Sequence, residues 1–508
     1  MSGRLYMNNE QLPSDQIVQR LYARGDFILQ SGAHFGGGKG IADMVLLRTP
    51  EGKPFIPGPS ITGAAQSYMA RRYFSWGDYL RGQDTWRDKL YLFGYNDYLD
   101  KSSFKNNTMS PLIVADAHIK DTYSTAIRDG VRIDNQSGVA LDQAKFDYEV
   151  LEPGSIFTIN LECLIRHNDP DTLKDQFIFL LIAFQNGQIR LGKKTSRGLG
   201  RGKVNNWEMI SLDMSNPDHV LAWLQGPAAI WKLNQGKTTF SGISMPDKRD
   251  YFQIDALFKL KTSIMIRQED PAHNRSDIQH LHSAGQPVTP GTSLSGALRA
   301  RTELISRTLW SNDNQLVEYA LSEIFGPEHN QSTTTPNSLW KSRILIDENF
   351  IQGGSLDLKE RVAIDRFTGG SLESAKFNEE PLETDALEAH IHLEILLENP
   401  REWEIGLLLL TIKDFWLGQA AIGGEASLGR GLLQGISANL AMYRGDHSHK
   451  QTWQLENNSN QPLCLAQGDK QKLDDFISAV TSSDKYTIMH KQSEVSRNPH
   501  NHPKNQAM

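Results

Sequence analysis

Five basic residues and no acidic one share the stretch Gly192-Lys193-Lys194-Thr195-Ser196-Arg197-Gly198-Leu199-Gly200-Arg201-Gly202-Lys203. Glycines let a backbone come close to a phosphate and turn its N–H groups toward it. Lys193 and Lys194 add point charge, and the guanidinium forks of Arg197 and Arg201 match pairs of phosphate oxygens. The stretch reads as an anion-binding loop; the plain alternative is a solvated turn. Dinucleotide-binding glycine loops follow a strand and open a helix. Here a helical pattern precedes the glycines and a strand pattern follows, which argues against that class.

Two further segments carry chemistry. Pro57-Gly58-Pro59-Ser60-Ile61-Thr62-Gly63 opens a helical pattern. The hydroxyls of Ser60 and Thr62 then sit beside free N–H groups at a helix start, where anions bind. Taken alone, the motif reads as an ordinary helix cap. Ser31-Gly32-Ala33-His34-Phe35-Gly36-Gly37-Gly38-Lys39-Gly40-Ile41-Ala42-Asp43 is a glycine-rich segment ending in one carboxylate. It lacks the GxxxxGK[ST] spacing of nucleotide-hydrolase phosphate loops. So much glycine fits a backbone that lies close to something, and Asp43 stands either at that contact or as a plain surface residue. Two histidine sets invite a metal reading: His280 and His282 near His273, and His390 and His392 with Glu394. The second set alternates with Ile391, Leu393 and Ile395. Solvent-facing histidines are the preferred account. No Ser-His-Asp or Cys-His set can be argued.

The chain then repeats itself. Pro57-Gly58-Pro59-Ser60 returns as Pro290-Gly291-Thr292-Ser293, and Thr62-Gly63 as Ser295-Gly296, 233 residues later. Leu92-Phe93-Gly94 returns as Ile324-Phe325-Gly326, and the segment around Asp116 returns around Asp347. Ile133-Asp134 and Lys145-Phe146 return as Ile364-Asp365 and Lys376-Phe377. Gly200-Arg201-Gly202 matches Gly429-Arg430-Gly431, 229 residues later. The matches are collinear, and so long a period makes each copy a domain. Copy two has Asp277 thirteen residues before Pro290, as Asp43 lies fourteen before Pro57, but it lacks the glycine-rich segment. It also puts Gly424-Glu425 where Lys193-Lys194 would lie, leaving Arg430 a weaker grip. This divides the chain into a first domain (1–204), a linker with a short helix (205–250), a second domain (251–436) and a polar tail (437–508). The tail's end has too few apolar residues to fold and is expected to be disordered.

Within each copy the patterns run strand, helix, strands, helix, glycine loop, strand. Strands are expected at 26–30 and 252–260, helices at 62–74 and 293–309, alternating strands at 155–164 and 387–397, and buried helices at 177–185 and 405–415. That order predicts an α+β fold: an open antiparallel sheet with helices on one face, the ferredoxin-like plan. A chain of 508 residues is too long for one core. A net charge of −7 does not announce a nucleic-acid binder, so any such contact must rest on local basic patches. Cys163 and Cys464 are too few for a disulfide framework. With no apolar run near membrane length and no signal-peptide plan at the start, a cytoplasmic protein is expected.

In this order the motifs resemble the RAMP superfamily of CRISPR systems, specifically the repeating backbone subunit of type III effector complexes. Copy one reads GIAD, PGPSITG, LFG, VADA, RIDNQSG and KKTSRGLGRGK; copy two reads SDIQ, PGTSLSG, IFG, LIDE, AIDRFTGG and GEASLGRG. Two units in one chain look like the fused double subunits of type III-D systems. The resemblance implies two tandem ferredoxin-like (RRM-like) domains, each with a projecting thumb hairpin, here at 118–147 and 349–378. It implies guide (cr)RNA, complementary target RNA and other backbone and large subunits as partners. Target cleavage carries over to Asp43 and Asp277, with Mg²⁺ or Mn²⁺ as the expected cofactor. His34, Lys39, Ser60, Thr62, Lys193, Lys194, Arg197, Arg201, Ser293, Ser295 and Arg430 are the expected RNA contacts. The family's lysine in the Pro-Gly-Ser turn is Thr62 in one copy and Ser295 in the other. A non-catalytic guide-binding scaffold is the alternative reading, and a nuclease that matures the guide is a third.

Overall fold

The computed structural model describes residues 15–481 except 39, 41, 76–88, 95–108, 121, 135–138, 234–236, 239, 241, 244–246, 270–275, 328–340, 385–387, 446–448 and 459–460. Copy one comprises β1 (Ile17–Leu29), α1 (Gly58–Tyr73), β2 (Leu112–Val114), the hairpin β3 (Thr125–Ile133) and β4 (Ala140–Leu151), β5 (Ile156–Arg166), α2 (Thr172–Gln185) and β6 (Gly202–Asp213). Next come α3 (Pro217–Gln225) and α4 (Pro227–Lys232). Copy two comprises β7 (Tyr251–Leu260), α5 (Gly291–Leu309), α6 (Asn314–Phe325), β8 (Ile344–Ile346), the hairpin β9 (Lys359–Ile364) and β10 (Ser371–Glu380), β11 (His390–Glu398), α7 (Glu402–Trp416) and β12 (Leu433–Arg444). The chain continues through β13 (His449–Glu456), β14 (Cys464–Gln467) and α8 (Lys470–Thr481).

Strand alternation sets each core. Leu21, Ala23, Phe27 and Leu29 of β1 point inward, as do Phe252, Ile254, Ala256, Phe258 and Leu260 of β7. Each of these strands lies antiparallel between two partners, β5 and β6 in copy one, β11 and β12 in copy two. The buried helices close the inner face: Phe27 meets Phe184 of α2 edge to face, and Phe258 meets Trp416 of α7 likewise. The fold is thus two tandem ferredoxin-like units. Their backbones match at an offset of 231: Ala33 N–H donates to the Leu151 carbonyl as Ile264 N–H does to that of Leu382. The β3–β4 and β9–β10 hairpins stand where thumbs are expected.

Two expected segments change character. Residues 205–250 are not a linker: β6 runs on to Asp213, and α3 and α4 cover the outer face of the copy-one sheet. Trp223 lies under the Arg20 guanidinium and Trp231 under that of Arg24, so both faces of this sheet carry helices. Nor do residues 437–481 form a polar tail. Strands β13 and β14 extend the copy-two sheet, and α8 packs on α7 with Phe476 and Val480 buried. Leu473, Phe476, Ile477 and Val480 have the spacing of an apolar helix stripe, the signal that marks this element. Residues 482–508 lie outside the described residues.

The histidines also divide differently. His392 and His390 are half-exposed on β11, and His392 pairs with Asp255 at 2.5 Å. His280, by contrast, is fully buried, and its Nδ1 accepts the Ile266 N–H at 3.2 Å. Burial, then the neighbouring His282, pushes its pKa down to about 3. A group whose native pKa lies below its unfolded value stabilises the fold above the unfolded value and loses that contribution as pH falls. The loss runs from the ordinary 6.5 toward 3. The denaturant midpoint should therefore fall more steeply between these limits in the native protein than in His280→Asn. Parallel slopes would remove His280 from the acid response.

Candidate nucleic-acid interface and carboxylate sites

The basic loop joins α2 to β6. Lys194 adopts a left-handed conformation (φ 56°), a short 3-10 turn follows over Thr195–Arg197, and Gly198 and Gly200 again have positive φ. A Cβ at Gly200 would overlap the Leu191 carbonyl, and one at Gly431 would overlap that of Ile422. The paired bonds agree: Leu191 N–H donates to Gly200 and Ile422 N–H to Gly431, both at 3.0 Å. Gly200 therefore corresponds to Gly431, and the Gly-Arg-Gly match is two residues out of register. Arg201 corresponds to Leu432, Arg430 to Leu199 and Lys194 to Glu425. The strand residues Ala115 and Asp347 also correspond, because their N–H groups donate to Asn160 and Glu394 at equivalent places on β5 and β11.

The loop of copy one runs into copy two. Gly198 lies so close to the Glu348 backbone that a Cβ would overlap it. Arg201 pairs with Asp347 at 3.0 Å and Glu394 at 3.6 Å, and Arg190 pairs with Asp347 at 2.5 Å. Arg430 is buried between Glu379 (2.5 Å) and Glu425 (2.7 Å). Neither Arg201 nor Arg430 is offered to RNA as expected, because carboxylates of copy two already hold them. Lys193 and Arg197 are exposed. Lys194 is half-buried, with its ammonium 3.3 Å from the centroid of the Tyr148 ring.

Between the copies lies a cleft of about 620 Å³, lined among others by His34, Ser60, Lys193, Arg71, Arg249 and Lys341. Arg71 is paired across it with Glu398 at 2.7 Å. His34 is buried and donates Nδ1–H to the Glu149 carbonyl at 2.7 Å. Burial lowers its pKa, with Lys193 and Lys194 adding to the effect. The ring is therefore neutral, and Nε2, which has no partner, carries a lone pair. Nε2 is shielded from solvent, so His34 is not offered to RNA as expected. Thr62 turns its hydroxyl back to the Gly58 carbonyl at 3.0 Å, and Asp116 already takes the Gly58 N–H at 2.8 Å. The start of α1 is thus occupied by a carboxylate, and Thr62 does not face a ligand there. Ser293 and Ser295 are half-buried in the first turn of α5, whose Gly291 packs against the Arg197 carbonyl in the junction. Lys39 lies outside the described residues. Arg71, Arg249 and Lys341 escape sequence reasoning because they are scattered through α1, the 205–250 segment and the stretch before β8.

The two candidate carboxylates occupy equivalent places. Asp43 and Asp277 are both exposed at the second strand of their own thumb. Asp43 Oδ2 accepts the Asp147 N–H at 3.2 Å, and Asp277 Oδ2 accepts the Asn378 N–H at 2.8 Å. Asp147 and Asn378 are themselves 231 residues apart. In copy one Asp147 Oδ1 also accepts the Asp43 N–H at 2.7 Å, which puts a second carboxylate beside the first. No group of three metal-ligating side chains occurs among the described residues. A hard divalent cation is commonly held by one or two carboxylates plus substrate phosphates. Asp43 with Asp147 fits that mode; Asp277 offers one carboxylate.

Lys194 carries a testable pH dependence. Burial, then Arg197 and Arg128, push its pKa down to about 7. It is charged below that value and neutral above it. Each phosphate contact by a cation adds about 0.7–0.9 to the slope of log affinity against log salt. RNA binding should therefore show a steeper salt slope at pH 6 than at pH 8, and Lys194→Ala should erase the difference. An equal slope in the native protein at both pH values would show that Lys194 either does not titrate near 7 or meets no phosphate from its place over Tyr148.

Twin ferredoxin-like units, each with a projecting hairpin, flank a cleft lined by Arg71, Lys193, Arg249 and Lys341. A family model of the RAMP superfamily matches residues 27–203 and 258–434, and the chain belongs to that superfamily. Its members bind RNA and take part in type III CRISPR complexes. A search of curated proteins found no match. Among the described residues, no helix is long and apolar enough to cross a membrane.

Proposed function

We propose that the chain is a double backbone subunit of a guide-RNA-directed type III effector complex, of the fused type III-D kind, and that it cuts complementary target RNA at two spaced positions. The observation that carries this reading is the equivalent seating of Asp43 and Asp277, each carboxylate held by the backbone of its own thumb. Guide RNA runs along the cleft, with the exposed Lys193 and Arg197 on phosphates. Each thumb displaces a nucleotide, which lets the 2′-oxygen, phosphorus and leaving 5′-oxygen come into line. The carboxylate takes the 2′-OH proton as the 2′-oxygen bonds to phosphorus, the bond from phosphorus to the 5′-oxygen breaks, and the 5′-oxygen takes a proton from water, leaving a cyclic phosphate. When bound, Mg²⁺ or Mn²⁺ held by Asp43 and Asp147, or by Asp277, supplies positive charge for the phosphate.

The test is a guide-loaded complex given labelled complementary RNA with and without EDTA. Metal-dependent cutting of the complementary strand at two positions is expected. Guide binding without any cutting establishes the scaffold reading, and cutting of precursor guide establishes the maturation reading.

A further inference from the structure

The two copies finish the outer faces of their sheets differently. In copy one α3 and α4 lie over β1 and β6, where Arg24 stacks with Trp231 and pairs with Glu208. Strand register puts Asp255 in the place of Arg24: Arg24 is flanked by Asn160 and Glu208, Asp255 by Glu394 and Asn439. The arginine has become a carboxylate, and Glu208 an amide. Beyond β12 the chain adds β13 and β14 to the sheet and packs α8 on α7, so the Asp255 and His392 side chains stay 41 % exposed. Half-exposed polar residues on a strand are ordinarily solvated surface. Here they ring a cavity of about 470 Å³, lined by Asp255, Leu257, Phe350, Gln352, His392 and Asn439 among others. That volume is in the range of small-ligand sites and suits a nucleoside.

We infer that this cavity of copy two takes a guanine base, from an unpaired RNA residue or from free guanosine. Leu257 and the Phe350 ring supply apolar surface on which the face of a flat base can lie, and Asp255, Gln352 and Asn439 supply groups for its edge. A carboxylate only accepts, so His392 donates Nε2–H to Asp255 Oδ1 at 2.5 Å, while its Nδ1 lies 3.3 Å from Glu394. The imidazole thereby orients Asp255. Each carboxylate oxygen can take two donors, so both keep room for a ligand. Among the RNA bases only guanine carries two neighbouring N–H donors on its Watson–Crick edge, N1–H and the 2-amino group, to match the two oxygens of one carboxylate. Its O6 then accepts from an amide such as that of Asn439. Adenine and cytosine put a ring acceptor beside their amino group, and uracil flanks its one N–H with carbonyls. Each of those would set lone pairs against Asp255, which disfavours it. Copy one cannot do the same, because Arg24 and Trp231 fill the equivalent place.

The test titrates the full-length chain, free of guide RNA, with guanosine, inosine and adenosine in a calorimeter. Guanosine should bind. Inosine, which lacks the 2-amino donor, should bind about 10- to 100-fold more weakly, the usual worth of a hydrogen bond to a charged group. Adenosine should bind more weakly still. Asp255→Asn should erase the preference for guanosine over inosine, and Leu257→Trp should fill the cavity and abolish binding while leaving Asp255 in place. The pentamers UUGUU and UUUUU distinguish the sources, since both can meet the cleft through their phosphates. A preference for UUGUU that Asp255→Asn erases assigns the base to RNA; equal affinities, with guanosine still bound, assign it to free guanosine. No guanosine binding at millimolar concentration, inosine or adenosine bound as well as guanosine, or either folded variant binding guanosine as the native chain does overturns the inference. The inference does not rest on guide loading or cleavage, and both should be unchanged in Asp255→Asn. Loss of either there would place Asp255 in the guide-binding machinery and overturn it too.

Discussion

Asp43→Asn should remove one of the two target cuts and leave the other, and Asp277→Asn should do the reverse. A general base commonly contributes about 10²–10⁴-fold, so the lost product should be nearly absent on a scale of minutes. The structure makes the substitution a clean one. An amide oxygen at position 43 can still accept the Asp147 N–H, and one at position 277 the Asn378 N–H, so the thumb keeps its seat while the charge goes. Guide affinity should not fall, because the charge removed repels RNA. The copies also differ in a way that separates base from cation. Asp147→Asn makes copy one resemble copy two, so the copy-one cut should need more divalent metal while the copy-two cut is unchanged. Mapping the cut sites on a sequencing gel decides the matter. If every cut survives Asp43→Asn, the carboxylate is not the base; if only Asp277→Asn is silent, copy two is a scaffold.

The strands and helices were legible because each repeats an apolar pattern that a single element can express. Phe27 and Phe258 begin equivalent alternations that need no tertiary knowledge. The thumbs were implied by the family resemblance, and the equivalence of Asp43 and Asp277 followed from their spacing before Pro57 and Pro290. Register within the glycine loop did not. A Gly-x-Gly pattern matches itself after a shift of two, and only φ and close packing reveal that Gly200, not Gly202, corresponds to Gly431. That slip paired Arg201 with Arg430 and made both look like RNA contacts. Asp347 misled in the same way, since its true counterpart is Ala115. The partners of Arg201 lie well over a hundred residues away, on a surface that exists only once the two copies have packed. The expected linker and tail failed for simpler reasons: the first is read only as the gap between the two copies and the second from its polarity, while a few well-spaced residues such as Trp223, Trp453 and Phe476 decide whether a segment docks.

The junction between the copies yields the largest expected effect on stability. Arg128 of the copy-one thumb is buried against Glu348 of copy two, bonded also to Ser283 at 2.9 Å, and Ser283 in turn donates to Glu152 at 2.6 Å. Both partners of the ion pair are almost wholly out of solvent, their side chains 2 % and 3 % exposed. Removing one partner of such a pair typically costs about 3–5 kcal/mol, because the other charge stays buried and unpaired. Arg128→Met should therefore lower the denaturant midpoint sharply. It should also split one unfolding transition into two, as copies that unfolded together begin to melt apart. Replacing both partners, Arg128→Met with Glu348→Leu, should recover much of the loss, since a well-packed apolar pair can stand in for a buried ion pair. Function offers a second readout. The junction fixes the distance between Asp43 and Asp277, so loosening it should blur the spacing of the two cuts before either is lost. An Arg128→Met protein with an unshifted midpoint and an unchanged cut spacing would show that the loop around Gly198, rather than this ion pair, sets the register of the two copies.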